Sequence, residues 1–272
     1  MDRPIGIFDS GVGGLTVARE IFNILPGEDV VYFGDVARTP YGGRSNDIII
    51  KFTAQDVAFL VEQDVKFIIC ACNTASAVAL DEISSNYKIQ MVGVIRPGVE
   101  AAIERTRSGR IGVIGTHATI NSNAYARVIH EINSDHKVFS LACPLFVPLA
   151  EEGYIDKEAT YLIAKDYLQT MIDMKVDTLI LGCTHYPLLK NVIADVMGES
   201  VTLIDSGQET ARVAYKALAD AGLINTNASQ QPTPQGEHKF FVSDVPEKFS
   251  QVATRFLERP VDRITRVDIS GY

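Results

Sequence analysis

The chain has 272 residues, of which 46% are hydrophobic, and its formal net charge at pH 7 is −9. This length and apolar content suit one large domain, or two of modest size, around a buried core. The acidic balance argues against sequence-independent binding of nucleic acid, which requires a basic surface.

The N-terminal residues Met1-Asp2-Arg3-Pro4 do not show the basic-then-apolar pattern of a signal peptide. No apolar run approaches the roughly 18 residues that span a membrane. We therefore expect a cytoplasmic protein with no membrane partner. In that reducing compartment the four cysteines are expected to be free thiols, metal ligands or catalytic groups rather than disulfides.

Short apolar, β-branched segments recur along the chain and alternate with segments of 3.6-residue period, such as Ser45–Val61 with Ser45 as its N-cap. This alternation predicts an α/β fold, in which a mainly parallel sheet is covered by helices on both faces. The predicted strands are Ile5–Phe8, Val30–Phe33, Phe67–Cys70, Met91–Ile95, Arg110–Ile114, Val138–Leu141, Thr178–Leu181, Val201–Ile204 and Phe240–Val242.

Two segments, "ICACNTAS" and "ILGCTHYP", indicate that the chain contains two related halves. Each is an apolar strand that stops at a cysteine, Cys72 or Cys183, and a further strand follows each cysteine at a similar spacing. The polar, proline-bearing segment Asn225–Glu237 is predicted to be a surface loop. Periodicity does not decide which half the strand and helix beyond that loop join.

In open parallel sheets, ligands bind beyond the carboxyl ends of the strands. If the two halves face each other, Cys72 and Cys183 lie on opposite sides of one cleft. The residues that this rule collects are Asp9, Ser10, Asp35, Cys72, Asn73, Thr74, Thr116, His117, Cys183, Thr184 and His185.

A pair of thiols facing one carbon suits inversion of a stereocentre. Inversion requires a base on one face and an acid on the other, and a thiol with a pKa of about 8.5 can serve as either. Cys72 precedes a predicted helix, Thr74–Asn86, whose N-terminus is expected to favour the thiolate. Asp9 and His185 are candidates to tune the thiols or to relay protons.

Other interpretations of the cysteines remain open. Cys70 and Cys143 lie in or beside apolar runs and are expected to be small core residues. Cys70, Cys72, Cys183 and His185 include ligand types that zinc prefers, but their spacing differs from common structural zinc motifs, so no metal site is predicted.

The glycines of Gly11-Val12-Gly13-Gly14 do not complete a dinucleotide-binding fingerprint, because the last required position is Thr16. They predict a tight turn before the helix Leu15–Leu25. Two interpretations of this turn stay open: it only connects strand and helix, or its backbone N–H groups also bind an anion such as a carboxylate. The segment Tyr41-Gly42-Gly43-Arg44 is interpreted as a turn.

Five motifs in order make the chain resemble the glutamate racemases of the cofactor-independent aspartate/glutamate racemase superfamily. The motifs are GIFDSGVGGLTV (6–17), YFGDVARTPYG (32–42), CNTAS (72–76), PLAEEG (148–153) and LGCTHYPLL (181–189). The resemblance implies two pseudo-symmetric α/β domains with the active site in the cleft between them. The first would be discontinuous, residues 1–97 and 207–272, and the second would be 98–206.

The resemblance also implies interconversion of L- and D-glutamate without a cofactor, which supplies D-glutamate for peptidoglycan. Cys72 and Cys183 would be the acid and base, assisted by Asp9, His185 and Glu151, and the choice of Glu151 over Glu152 stays open. Asp35 would support the site, and a homodimer is plausible. The substrate-binding residues implied are Asp9, Ser10, Tyr41, Gly42, Asn73, Thr74, Thr184 and His185.

Two other functions remain to be distinguished from this one. The first is a related racemase or decarboxylase that acts on another acid, such as aspartate. The second is a non-catalytic protein, either stabilised by zinc or built to bind an acidic metabolite. A pair of reactive groups on two faces argues against the second, because binding alone does not require them.

Overall fold

The computed structural model describes residues 3–225, 236–261 and 263–272. Most of the predicted loop Asn225–Glu237 lies outside the described residues. In the described part of the chain, all strand pairs of both sheets are parallel. The predicted α/β fold class is therefore confirmed.

The first sheet has six strands in the order β10-β9-β2-β1-β3-β4. Near-continuous apolar segments form its central strands, which are buried on both faces as parallel strands must be. The strands are β1 (Ile5–Asp9), β2 (Val30–Gly34), β3 (Phe67–Cys70), β4 (Met91–Gly93), β9 (His238–Val242) and β10 (Ile264–Arg266).

The second sheet has four strands in the order β6-β5-β7-β8. This order repeats the β2-β1-β3-β4 arrangement of the first sheet, so the predicted likeness of the two halves extends to their topology. Cys72 follows β3 and Cys183 follows β7, which are equivalent strands. The strands are β5 (Arg110–Gly115), β6 (Lys137–Ala142), β7 (Thr178–Gly182) and β8 (Thr202–Asp205).

Helices cover both faces of each sheet. Alternate strand residues point to opposite faces, so Ile5 and Ile7 pack with α1, α11 and α12, whereas Phe8 packs with α2. The helices are α1 (Leu15–Ile24), α2 (Asn46–Glu62), α3 (Asn73–Val78), α4 (Leu80–Ser84), α5 (Ile95–Arg105), α6 (His117–Asn121), α7 (Ala124–Ile132), α8 (Phe146–Glu151), α9 (Glu158–Asp173), α10 (Lys190–Met197), α11 (Ser206–Asp220) and α12 (Pro246–Leu257). Short 3₁₀ helices occupy Tyr41–Gly43 and Tyr186–Leu189.

Two local predictions need correction, and one strand was missed. The helix predicted over Thr74–Asn86 is broken at Ala79, which leaves helical geometry (φ −123°, ψ −29°) so that α4 buries Leu80 in the core. The strand predicted to end at Ile95 ends at Gly93, because a helix begins at Ile95 with Pro97 in its first turn, where no backbone N–H is needed. Strand β10 was not predicted.

The chain passes between the two sheets through α5 and α11. These helices pack against each other, and a Cβ atom added at Gly98 on α5 would lie 2.8 Å from Ser206 Oγ at the start of α11. The two crossings are therefore in contact. In the described ranges, no helix has both the length and the apolar character needed to span a membrane.

Candidate active site

A small cavity lies where the carboxyl ends of the strands of both sheets meet. Cys72 and Cys183 both line this cavity, as the strand-end rule predicted. Cys70 and Cys143 are buried in separate core clusters, as expected for small apolar residues. The lining residues are Ser10, Thr39, Pro40, Tyr41, Gly42, Cys72, Asn73, Thr74, Thr116, Val147, Cys183, Thr184 and His185.

Cys72 caps the N-terminus of α3. Its Sγ accepts a hydrogen bond from the backbone N–H of Ala75 at 3.4 Å and lies 3.5 Å from Ser10 Oγ. Burial raises the pKa of the Cys72 thiol to about 12, the Asp9 carboxylate adds to this, and the bonds to Ser10 and Ala75 act against it. The helix N-terminus thus favours the thiolate, as expected, but burial outweighs it and the net pKa is raised.

Asp9 ends strand β1 and is 1% exposed. Its carboxylate accepts a hydrogen bond of 3.0 Å from the backbone N–H of Gly11. Burial raises the pKa of Asp9, whereas the charge of His185 and backbone N–H groups of the glycine turn lower it. Asp9 is therefore electrostatically coupled to both Cys72 and His185, although it does not line the cavity.

Cys183 has a histidine and a carboxylate behind it. The Cys183 Sγ lies 3.8 Å from His185 Nδ1, and His185 Nε2 lies 2.9 Å from Glu151 Oε1. Burial alone would lower the pKa of His185, but the bonds and charges of Cys183 and Glu151 raise it to about 10. At neutral pH both ring nitrogens then carry hydrogen, one directed to Cys183 and the other to Glu151.

Glu151, rather than the exposed Glu152, is the residue that contacts His185. Helix α12, whose side chains pack against the first sheet, holds this pair from the other side. The Arg255 guanidinium donates to the backbone carbonyl groups of Ala150 and Glu151, and the Phe256 ring packs edge-on against the His185 ring at 5.3 Å. Residues from beyond residue 236 thus position groups on the Cys183 side.

Tyr41 and Asp35 belong to a buried polar cluster beneath the cavity. The Tyr41 hydroxyl contacts the carboxylates of both Asp35 and Asp56, and Arg38 forms ion pairs with the same two residues. Burial and the neighbouring Asp35 raise the pKa of Asp56. The charge of Arg38 and the hydrogen bond from Tyr41 act in the opposite direction, and the single hydrogen of the Tyr41 hydroxyl is within donating distance of both carboxyl groups. Asp35 supports Tyr41, in line with the expected supporting role.

Several residues of the site were not singled out from sequence. Thr119 joins Thr74 and Thr116 in a cluster of three hydroxyls separated by 3.0 to 3.1 Å, and Thr74 comes from the opposite half of the chain. Tyr125 Oη accepts a hydrogen bond from Asn73 Nδ2 at 2.8 Å. Tyr125 lies on an amphipathic helix, so its pattern indicates only a core aromatic residue.

The glycine turn is needed for close approach of the two halves. A Cβ atom added at Gly13 would lie 2.2 Å from Thr184 Oγ1 and 2.6 Å from His185 Nδ1, and one at Gly42 would lie 2.7 Å from Thr116 Cβ. Thr16 is the residue that breaks the dinucleotide fingerprint. Its hydroxyl donates a hydrogen bond of 3.0 Å to the Thr184 carbonyl oxygen. The turn is therefore a contact surface between the halves.

The zinc alternative has no support in the geometry. Within residues 3–225, 236–261 and 263–272, no three His, Cys, Asp or Glu side chains are arranged to hold a metal ion. Cys70 points its thiol at the backbone carbonyl of Cys72 at 3.6 Å.

Comparison with known proteins gives the family of the chain. Residues 29–214 match the Asp/Glu/Hydantoin racemase family. The chain belongs to this family. A curated glutamate racemase from Geobacter metallireducens is 49% identical over 269 residues, which cover 99% of this chain and 98% of the relative. This confirms the resemblance seen in the five motifs, and the chain is thus an amino-acid racemase, an isomerase of the glutamate racemase type.

Solved structures of this racemase family share the fold. A crystal structure of glutamate racemase from Francisella tularensis in complex with D-glutamate has a TM-score of 0.92 and 43% identity, covering 100% of this chain and 99% of that chain. The Escherichia coli glutamate racemase in complex with L-glutamate has a TM-score of 0.76 and 28% identity, with coverage of 97% and 98%.

Proposed function

We propose that the protein interconverts L- and D-glutamate by two-base proton transfer between Cys72 and Cys183, with no cofactor. The observation that carries this proposal is that the two thiols line one cavity from equivalent strand ends of two similar halves. The comparisons support the substrate, because related racemases have been solved with D-glutamate and with L-glutamate bound.

In the proposed reaction one sulfur, as thiolate, takes the Cα proton of the substrate, and the electron pair stays on Cα and its carboxylate. The other sulfur, as thiol, gives its proton to the opposite face of Cα. The first sulfur leaves the cycle as thiol and the second as thiolate, so the reverse reaction uses the same groups in exchanged roles. No proton or electron is left over.

The two sulfurs have different assistants in this scheme. Asp9 and Ser10 tune Cys72, and the high pKa of that thiol keeps it protonated in the resting state. On the other side, the cationic His185, held by Glu151, stabilises negative charge on Cys183. The scheme requires Cys183 to act as the base when Cys72 acts as the acid, and the cationic His185 beside Cys183 supplies the opposite charge that this role needs.

The lining groups supply the binding interactions. The Cα proton of an amino acid is very weakly acidic, so the site must stabilise the charge that develops on the α-carboxylate, and fixed hydrogen bonds in a small, dry cavity do this. We assign binding of the substrate's carboxylate and ammonium groups to the side chains or backbone of Ser10, Tyr41, Gly42, Asn73, Thr74, Thr184 and His185, which line the cavity. Asp9 lies outside this lining, and its proposed part in binding acts through the glycine turn, where it accepts a hydrogen bond from the Gly11 N–H.

In the cell, we propose that the protein works in the cytoplasm and supplies D-glutamate for peptidoglycan. We keep the division into a first domain (1–97 and 207–272) and a second (98–206). It agrees with the membership of the two sheets, although residue 97 lies within α5. A homodimer remains part of the proposal.

The test is racemisation of L-glutamate in deuterated water by dialysed protein. Two-base transfer predicts that early D-glutamate carries deuterium at Cα, while the remaining L-glutamate stays unlabelled. Deuterium entering L-glutamate as fast as product forms would show a single base and refute the two-thiol scheme.

A substrate panel separates the alternatives. Faster turnover of aspartate than of glutamate would support a related racemase that acts on another acid. Tight binding of glutamate without turnover would support a binding module. Racemisation of glutamate alone, with dialysed protein, supports the proposal.

A further inference from the structure

A chain of three buried hydrogen bonds joins the two thiol-bearing segments. Asn73 Nδ2, next to Cys72, donates to Tyr125 Oη at 2.8 Å, and Tyr125 Oη lies 3.2 Å from Ser206 Oγ. Ser206 Oγ donates to the carbonyl oxygen of Leu181, two residues before Cys183, at 3.3 Å. All four residues are at most 4% exposed.

The direction of this chain follows from its last member. A carbonyl oxygen has no hydrogen, so the Ser206 hydroxyl must donate to Leu181 and can only accept from Tyr125. Tyr125 then uses its one hydrogen on Ser206 and can only accept from Asn73. Burial raises the pKa of Tyr125, so this hydroxyl retains its hydrogen at any working pH.

The hydrogen-bond chain fixes the orientation of the Asn73 side-chain amide. Its nitrogen must face Tyr125, because the flipped amide would set its oxygen against a tyrosine oxygen that has no hydrogen left to give. Since Asn73 lines the cavity, its Oδ1 atom and the second Nδ2 hydrogen remain for the substrate.

We propose that Tyr125 and Ser206 are positioning residues that hold the Asn73 amide in the single orientation that serves the substrate. This inference rests on the proposed function, since it concerns the same cavity. It adds two residues that neither touch the cavity nor belong to the five motifs, and both lie in the half of the chain opposite to Asn73.

The experiment is a double-mutant cycle in the full chain, read out as the Kd for D-glutamate and as KM and kcat in both directions. Tyr125→Phe removes the acceptor of Asn73 but keeps the ring, and we expect Kd and KM to rise about tenfold, with kcat less affected. In an Asn73→Ala background the same change should alter Kd by less than about twofold, because no amide is left to orient.

Ser206→Ala provides an independent test. It frees the Tyr125 hydrogen, so the Asn73 amide can flip. The expected rise in Kd is smaller than that caused by Tyr125→Phe. In a Tyr125→Phe background, Ser206→Ala should cause no further rise in Kd. Tyr161→Phe is the control, because its hydroxyl bonds Asp195 on the exposed surface of the same half.

Equal effects of Tyr125→Phe with and without Asn73 would overturn the inference, as would unchanged Kd and KM in both Tyr125→Phe and Ser206→Ala. A wild-type protein that binds glutamate but does not racemise it would refute the proposed function instead. The cycle on Kd would then still decide the role of Tyr125.

Discussion

The surroundings of Cys72 and Cys183 differ although their backbone positions are equivalent. Each sulfur follows the third strand of a β2-β1-β3-β4 or β6-β5-β7-β8 arrangement. Cys72 has a carboxylate neighbour, Asp9, and a pKa raised to about 12. Cys183 has the cationic His185 at 3.8 Å. Pseudo-symmetry thus determines where the sulfurs lie, and the neighbouring side chains give each sulfur a different electrostatic environment.

This difference matters because one inversion needs an acid and a base at the same time. Two sulfurs with identical surroundings would tend to be both protonated or both charged. A carboxylate beside one sulfur and an imidazolium beside the other give the two sulfurs different electrostatic surroundings, which suit them to unequal roles. The predictions below test whether the two sides are in fact unequal.

The largest effect is expected from removing either sulfur. Cys72→Ser and Cys183→Ser should each lower kcat/KM for racemisation by about 10³-fold or more, because a hydroxyl is a far weaker acid than a thiol and is not ionised near neutral pH. Polarimetric assays in both directions measure this.

Cys143→Ala is the control for the two sulfur variants, since Cys143 is buried in the core that packs against the second sheet and does not line the cavity. Its activity should stay within a few-fold of wild type. A wild-type rate in either Cys72→Ser or Cys183→Ser would contradict the two-sulfur mechanism.

The next largest effect is expected at the contact between the halves. In Gly13→Ala the new methyl group meets Thr184 and His185, so the halves cannot approach closely and kcat/KM should fall by about 10- to 100-fold. Gly43→Ala is the matched control, because a Cβ atom there meets nothing within 4 Å. Equal activity of the two variants would show that the close approach is not needed.

A moderate effect is expected from Glu151→Gln, which keeps the shape but removes the charge behind His185. We expect roughly a tenfold loss of kcat/KM, because a charge-assisted hydrogen bond becomes a neutral one. Glu152→Gln, in the exposed neighbour, should leave activity unchanged. A larger loss in Glu152→Gln would reverse the assignment of the two glutamates.

The pH dependence of stability tests the ion pair between His185 and Glu151. The folded-state pKa of His185, about 10, lies above the ordinary value near 6.5. The charged pair therefore stabilises the fold fully below about pH 6.5, and this contribution is lost as pH rises towards 10. The Tm difference between wild type and Glu151→Gln should narrow from pH 7 to pH 10. A constant difference would contradict the ion pair.

The smallest effect on activity is expected from Asp56→Asn, on the Tyr41 side. An amide mimics the protonated carboxyl group, so activity should change by no more than about threefold. Because the raised pKa of Asp56 makes the folded protein hold a proton that the unfolded chain has released, wild-type stability falls as pH rises above about 4. Asp56→Asn lacks this penalty. The Tm of the variant minus the Tm of wild type should therefore increase as pH rises from 5 to 8. Asp56→Asn and Asp35→Asn each lose one ion pair with Arg38, so both lower the Tm, and Asp35→Asn should be destabilised throughout this pH range.

Local sequence patterns were enough to predict every described strand except β10, and the positions of the two cysteines. A β-branched run that stops at Cys72 or Cys183 is a local signal, and the position of ligands at strand ends then follows from topology alone. The break at Ala79 was not predictable, since it serves burial of Leu80 against residues distant in sequence.

The groups behind the sulfurs were harder to predict from the residues, because they depend on contacts between distant segments. Tyr125 reaches Asn73 across 52 positions, and Arg255 reaches Glu151 across 104. The net rise in the pKa of Cys72 was not predictable, because a helix N-terminus is visible in sequence whereas complete burial beside Asp9 is a tertiary property.

The contact between α5 and α11 has a consequence for motion. Both passages of the chain from one sheet to the other run through these helices, which touch at Gly98 and Ser206. Any rotation that parts the walls of the cavity must therefore pivot about this double connection, and the mouth opens at the point farthest from it. For a substrate that enters by such a rotation, we expect Ser206 to move little and Gly13, on the glycine turn, to move away from His185.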